Sequence, residues 1–239
     1  MRLVFALGFA LLPVLAGCVT HLEPREMHPE EYLLAMDAPV VKVGAELRRQ
    51  SGDHVVFLGT GLACEEYVLT AAHACVSRNG TPVDRVFVNG VETRVLERRE
   101  PRHPYDDLAK LAKPSEVNLN GTCQAYQPSA GDRAWIVGYG ASQIEHEATS
   151  DDRVKTAIPG IVVDLDLGEG DSDVVVIEFD RTWKFGGFSG GPARVLVDGE
   201  MLDFGIVCRK VNHWKYTGFW PFLRLEERNL LAVRLCEYP

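Results

Sequence analysis

The sequence predicts an all-β fold, and three observations carry that prediction. First, from Val40 onward short runs rich in Val, Ile, Phe and Tyr follow one another, among them VVKV, HVVFLGTG, YVLTAA, RVFVNG, RAWIVGYG, DVVVIEF, ARVLVDG and FGIVC. Second, Gly, Asp and Asn punctuate these runs, as in Arg78-Asn79-Gly80, Val88-Asn89-Gly90 and Val197-Asp198-Gly199. Many short strands with closely spaced turn signals describe a barrel or a sandwich. Third, the other classes fail. There is no glycine period, no sustained heptad and no unbroken apolar run of about 18 residues, so collagen-like, coiled-coil and polytopic membrane folds are excluded. The chain has 239 residues, 46% of them hydrophobic, which is enough for a large core and too apolar for a disordered protein. A net charge of -9 argues against nucleic acid as a partner, because phosphate binding needs a basic face.

The elements follow in order. Residues 1–17 (MRLVFALGFALLPVLAG) place Arg2 before an apolar stretch too short to span a bilayer, the shape of a secretory signal. The end of this stretch, Leu15-Ala16-Gly17-Cys18, resembles the lipobox of bacterial lipoproteins. That resemblance implies cleavage before Cys18, acylation of Cys18, and an exported protein held in the bacterial envelope by its lipid. Val19 after the Cys is similar to the outer-membrane default of Gram-negative lipoproteins, facing the periplasm. Residues 18–39 carry Pro and charge with little periodicity and read as a tether or arm. Strand signals then fill residues 40–120 and 121–239, with a strand-poor segment from Lys113 to Gly131 between two halves. The tail LRLEERNLLAVRLC, with its Leu, Ala, Glu and Arg, reads as a C-terminal helix.

Export makes disulfides possible. The six cysteines stand at 18, 64, 75, 123, 208 and 236, and no C-x-x-C occurs, which removes zinc-ribbon and thioredoxin-like readings. With Cys18 lipidated five remain, so at least one is unpaired or bonds another molecule. Spacing leaves the connectivity open.

Three local patterns carry chemistry. Val68-Leu69-Thr70-Ala71-Ala72-His73 is a strand-like run ending in two small residues and an imidazole, which can act as a general base beside a hydroxyl. Tyr105-Asp106-Asp107-Leu108-Ala109-Lys110-Leu111 opens an alternating apolar stretch with an acid, which if buried needs a partner such as an imidazole N–H. Phe185-Gly186-Gly187-Phe188-Ser189-Gly190-Gly191-Pro192 surrounds one Ser with four Gly, whose conformational freedom lets a loop aim its N–H groups inward as an oxyanion hole.

TAAH, then D-L-A, then G-x-S-G-G-P, in that order, resembles the trypsin-like (chymotrypsin-fold) serine peptidases over about residues 41 to 236. Gly59-Thr60-Gly61 also looks like the strand opening of bacterial members. The resemblance implies two six-stranded antiparallel β-barrels, the first bearing His and Asp, the second bearing Ser. It implies His73 as general base, Asp107 as the orienting acid, Ser189 as nucleophile, and the N–H groups of Gly187 and Ser189 as oxyanion hole. Asp107 is chosen over Asp106 because it directly precedes Leu-Ala, as the family acid does. Acyl transfer from protein or peptide substrates needs no metal or cofactor in this family.

The sequence departs from the family at three places. Phe188 stands where many animal members have the Asp that pairs with a freed N-terminal amine, so no trypsinogen-style switch is expected. Cys208 falls where the family usually has a Ser near the catalytic acid. Trp183 and Lys184 resemble the base of the primary specificity pocket, with Cys208, Arg209 and Lys210 along its wall. No Asp stands there, so cleavage after Lys or Arg is not expected, and the cations suggest an acidic side chain before the cleaved bond. Two rivals remain. Gly187-Phe188-Ser189-Gly190-Gly191 also fits the G-x-S-x-G elbow of α/β-hydrolases, but Pro192 and strand-like residues follow where that fold needs a helix. The other is a catalytically weak or inactive protease-fold lipoprotein that binds a partner protein.

Overall fold

The computed structural model describes residues 29–48, 54–75, 83–98, 107–140, 153–165, 167, 173–217 and 224–236. Cys18 with its leader, Asp106 and the Arg78-Asn79-Gly80 turn lie outside these residues.

Seven strands form the first sheet: β1 (Val40–Arg48), β2 (His54–Ala63), β3 (Tyr67–Thr70), β4 (Arg85–Val88), β5 (Val91–Thr93), β6 (Val95–Arg98) and β7 (Ala109–Ala112). Their order is β5-β4-β1-β2-β3-β7-β6, every described pair antiparallel. Only Arg94 separates its two edge strands along the chain, so the sheet must curl until those edges meet. Hydrogen bonds at that seam run from Ala112 N to Arg94 O (2.9 Å) and from Thr93 Oγ1 to Ala112 O (2.6 Å). The result is a nearly closed barrel filled by Val41, Val43, Val68, Val86, Val88 and Leu111. One strand more than the expected six is present, because the Asn89-Gly90 turn folds a short β5 back onto β4. Asn89 (φ 49°) and Gly90 (φ 83°) both adopt the left-handed backbone that a two-residue hairpin demands.

The second barrel is closed and six-stranded, in the order β10-β15-β12-β11-β8-β9. It contains β8 (Arg133–Gly138), β9 (Thr156–Val163), β10 (Val174–Glu178), β11 (Pro192–Val197), β12 (Glu200–Val211) and β15 (Leu230–Leu235). Ile136, Ile158, Ile177, Phe188, Phe204 and Val233 fill it. A separate hairpin, β13 (Trp214–Thr217) with β14 (Arg224–Glu227), precedes the last strand. Two antiparallel β-barrels make this the chymotrypsin-like double-barrel fold.

The C-terminal helix expected over LRLEERNLLAVRLC is corrected to strand: its described residues form β14 and β15. Leu and Ala favour helix, but Leu230 to Arg234 are buried without interruption and pair with β10 on one side and β12 on the other. Without this strand the barrel would keep two open edges, and tertiary pairing overrides local propensity here. A helix appears instead within the expected tether: α1 (Pro29–Met36). Pro29 at its first position and Glu30 and Glu31 in its first turn suit a helix N-terminus. Tyr32 meets Trp135 edge-on (centroids 6.2 Å apart), and Glu31 Oε2 lies 2.7 Å from Arg133 Nη1. At the other end Arg194 Nη1 donates to Leu34 O and Ala35 O, each at 2.9 Å, while its Nε lies 2.7 Å from Asp203 Oδ1.

Candidate active site

Strand register brings His73 to Asp107. In the β3–β7 pair Thr70 stands opposite Ala109. Continuing two residues off the end of β3 reaches Ala72, opposite Asp107, and Ala72 N donates to Asp107 O at 3.1 Å. Ala72–Cys75 is a single 3₁₀ turn, which lifts the His73 ring off the strand end. Asp107 then grips the histidine twice. Its Oδ1 accepts from His73 N at 2.7 Å, and its Oδ2 accepts from the ring Nδ1. That bond places the ring proton on Nδ1 and leaves Nε2 with its lone pair outward. Asp107 is almost sealed (side chain 4% exposed), whereas His73 reaches solvent (38%).

Burial raises the Asp107 carboxyl, but the hydrogen bond and charge of His73, the backbone N–H and the Arg209 guanidinium outweigh it. The carboxyl is held below its ordinary range and stays ionised. Arg209 Nη2 lies 3.5 Å from Oδ2. Cys208 sits behind, fully buried, its Sγ 3.8 Å from the backbone oxygen of Asp107. A β-bulge explains why both neighbours approach one acid. The β12–β15 register steps from Val207 to Arg209, skipping Cys208. Burial first, then the charge of Asp107, pushes the Cys208 thiol up to about 12, and the same causes push buried Cys75 up to about 12.

The Ser189 loop is fixed from both barrels. Gly190 N donates to Val207 O (2.8 Å) and Val207 N to Gly191 O (2.9 Å), prolonging the β11–β12 ladder. From the first barrel, Thr60 N donates to Ser189 O at 2.8 Å and Thr60 Oγ1 to Gly187 O at 2.7 Å. Close approach explains the glycines. A methyl on Gly59 would lie 3.0 Å from Ser189 O and 3.5 Å from Ala74 Cβ, so the serine loop and the His73 turn flank one point. A methyl on Gly190 would lie 2.1 Å from Thr60 O and 2.8 Å from Ala71 N. Gly187 takes φ 96°, and no described backbone acceptor engages its N–H or that of Ser189. Among the described residues, no hydrogen bond joins Ser189 Oγ to the His73 ring; such bonds are often long in a free enzyme and tighten with substrate.

Phe188 explains how this loop holds its shape without an ionic latch. Its side chain is 1% exposed and joins the second barrel's core. A methyl on Gly140 would lie 1.7 Å from its ring, and one on Gly138 3.1 Å, so two glycines make room for it.

Beside Ser189 opens a cavity of about 310 Å³ lined by Phe185, Gly186, Ser189, Val207, Cys208, Arg209, Lys210 and Leu231. Trp183 and Lys184 are not part of that lining. Trp183 packs on the second barrel's core and Lys184 is exposed. Each cation on the wall faces a carboxylate: Arg209 turns to Asp107, and Lys210 Nζ lies 2.6 Å from Glu227 Oε1. Sequence reasoning missed the Cys123–Cys236 disulfide, Cys75 near Asp107, and Arg153 against Gly187. No local pattern marks any of them. Among the described residues no cluster of His, Cys, Asp or Glu could hold a metal ion.

The fold is a double-barrel architecture that solved protease structures share. Solved structures with this architecture include the Rv3671c protease of M. tuberculosis in its active form, 21% identical, with a TM-score of 0.54 over 87% of this chain and 82% of that one. Its inactive form is 20% identical, with a TM-score of 0.52 over 87% and 90%. A serine-to-alanine mutant of the same protein is 19% identical, with a TM-score of 0.54 over 87% and 89%. No protein-family model matches the sequence, and no curated protein is significantly similar to it.

Proposed function

We propose that the chain is a serine endopeptidase, with Ser189 as nucleophile, His73 as general base and Asp107 as the acid that orients it. The observation that carries this reading is the Asp107 carboxylate gripping both the backbone and the ring of His73, beside a glycine-rich loop that presents Ser189. Ser189 Oγ attacks the substrate carbonyl carbon while its proton passes to His73 Nε2. The carbonyl electron pair moves onto oxygen, facing the N–H groups of Gly187 and Ser189. Collapse expels the amine, which takes the proton from His73. Water then repeats the sequence on the acyl-enzyme.

The cavity favours an apolar side chain before the cleaved bond, because Phe185, Val207 and Leu231 line it and its two cations face carboxylates. Peptide-library profiling should therefore return apolar residues there; an Asp or Glu preference would restore the acidic reading. The sequence further supports export and a lipid anchor at Cys18. Metabolic labelling with an alkynyl fatty acid should mark the wild type and not C18S.

A fluorophosphonate probe tests the central reading. Wild type should be labelled on the peptide containing Ser189, and S189A should not, with kcat lower by about 10⁶. Protein that folds, binds a partner and resists the probe would support the second reading, a non-hydrolysing binder. That reading is favoured by the lack of a Ser189–His73 hydrogen bond among the described residues and by Cys208 beside the acid.

A further inference from the structure

Arg153 lies just ahead of β9, and its guanidinium presses against the loop that carries Ser189. A methyl on Gly187 would lie 2.2 Å from Arg153 Nη1 and 2.5 Å from Tyr139 O. Gly187 is thus the only residue type that lets this cation come so close, and its φ of 96° belongs to the same close approach. Arg153 Nε and Nη1 are buried and, among the described residues, have no hydrogen-bond partner. Buried guanidinium nitrogens are almost always satisfied, and leaving them bare costs stability. For Arg153 that cost falls beside Gly187, a proposed oxyanion-hole donor.

Resting on the protease reading, we infer that Arg153 is an electrostatic positioning residue of the oxyanion hole. In the free enzyme these two nitrogens have no hydrogen-bond acceptor among the described residues. When Ser189 Oγ bonds to the carbonyl carbon, the π electron pair moves to oxygen and a full negative charge forms at the Gly187 N–H. The guanidinium gains this negative charge as a neighbour when the tetrahedral state forms. An interaction that is weak with substrate and strong with the transition state raises kcat rather than lowering KM. Burial of Nε and Nη1 keeps water from these two nitrogens, and the half-buried cation is in place before the reaction starts. Arg153 touches neither substrate nor reacting atoms in this scheme; it acts through the Gly187 peptide.

The test compares wild type, R153M and R153K. Methionine keeps most of the packing and removes the charge; lysine keeps the charge. R153M should lower kcat about tenfold with KM unchanged, weaken a peptide boronate inhibitor about tenfold, and raise the melting temperature. R153K should retain kcat within about threefold. The proposal is overturned by wild-type turnover in R153M, by equal losses in both variants, or by an R153M that fails to fold or melts lower, which would make Arg153 a structural support. Failure of the protease reading looks different: wild type itself would neither take the fluorophosphonate nor bind the boronate, although the melting comparison would still report whether the unpartnered nitrogens cost stability.

Discussion

At the residue scale, the decisive group is Asp107. Its carboxylate serves His73 through both oxygens, so an Asn in its place has one accepting oxygen for two donors and must turn its NH2 group to one of them. D107N should reduce kcat by about 10⁴, as expected when the base is held in the wrong tautomer. The same substitution has a pH signature. The folded-state carboxyl titrates below its unfolded value of about 3.9, so its contribution to stability is present above that pH and is lost as pH falls through the lower, folded value. Urea unfolding should therefore show wild type and D107N converging as pH drops from 5 toward about 2; a constant gap would mean that Asp107 is not held ionised. The thiols nearby follow the opposite logic. Burial pushes Cys64 up to about 11, and Cys75 and Cys208 up to about 12, so all three stay protonated and inert. Iodoacetamide at pH 8 should leave them unmodified in the folded protein and alkylate them after unfolding.

At the element scale, the serine loop is anchored by an apolar side chain rather than an ion pair. Phe188 lies in the second barrel's core against Gly138 and Gly140. F188A should cost about 3–5 kcal/mol by leaving a cavity. Its effect on turnover should exceed that of a remote core truncation such as V162A at matched fraction folded, because the same side chain sets where Gly187 and Ser189 point. Equal losses would show that the loop keeps its geometry without Phe188. Helix α1 is docked the opposite way, through an ion pair. Arg194 joins its last carbonyls to buried Asp203, so R194L strands a carboxylate and should cost about 3–5 kcal/mol, while R194L with D203L should recover most of it. Chemical denaturation of the two variants measures the difference.

At the scale of the whole molecule, the proposed function depends on two barrels that hold separate parts of the candidate site. Thr60, on β2 of the first barrel, accepts from Tyr139 N at 2.9 Å and donates to Gly187 O at 2.7 Å. One hydroxyl therefore joins strand β2, the residue after β8 and the serine loop. T60V leaves a buried acceptor and donor unmatched and should cost about 1–3 kcal/mol, with a larger share of the loss in kcat than in KM. The Cys123–Cys236 disulfide works over a longer span. It ties the segment between the barrels to the end of β15 across 113 residues of chain. Removing it with C236A should cost about 4 kcal/mol and lower the melting temperature by roughly 10 °C. A shift under a few degrees would mean that packing alone holds the segment.

The sequence by itself determined the all-β class, the order of His73, Asp107 and Ser189, and the hairpins at Asn89-Gly90 and Asp198-Gly199. These are local: alternation, turn chemistry and short motifs are written in adjacent residues. Tertiary structure alone decided the rest. The 224–235 stretch has a helix former's composition, yet it is strand because a barrel needed its last edge closed. Cys123 found Cys236, Phe188 found two glycines, Arg209 on the cavity wall met Asp107, and Arg153 came to rest on Gly187. Each of these is a contact between residues far apart in the chain, and no neighbouring residue encodes its partner. What chain order cannot state is which distant groups will share one desolvated space, and the reactivity of this site depends on that.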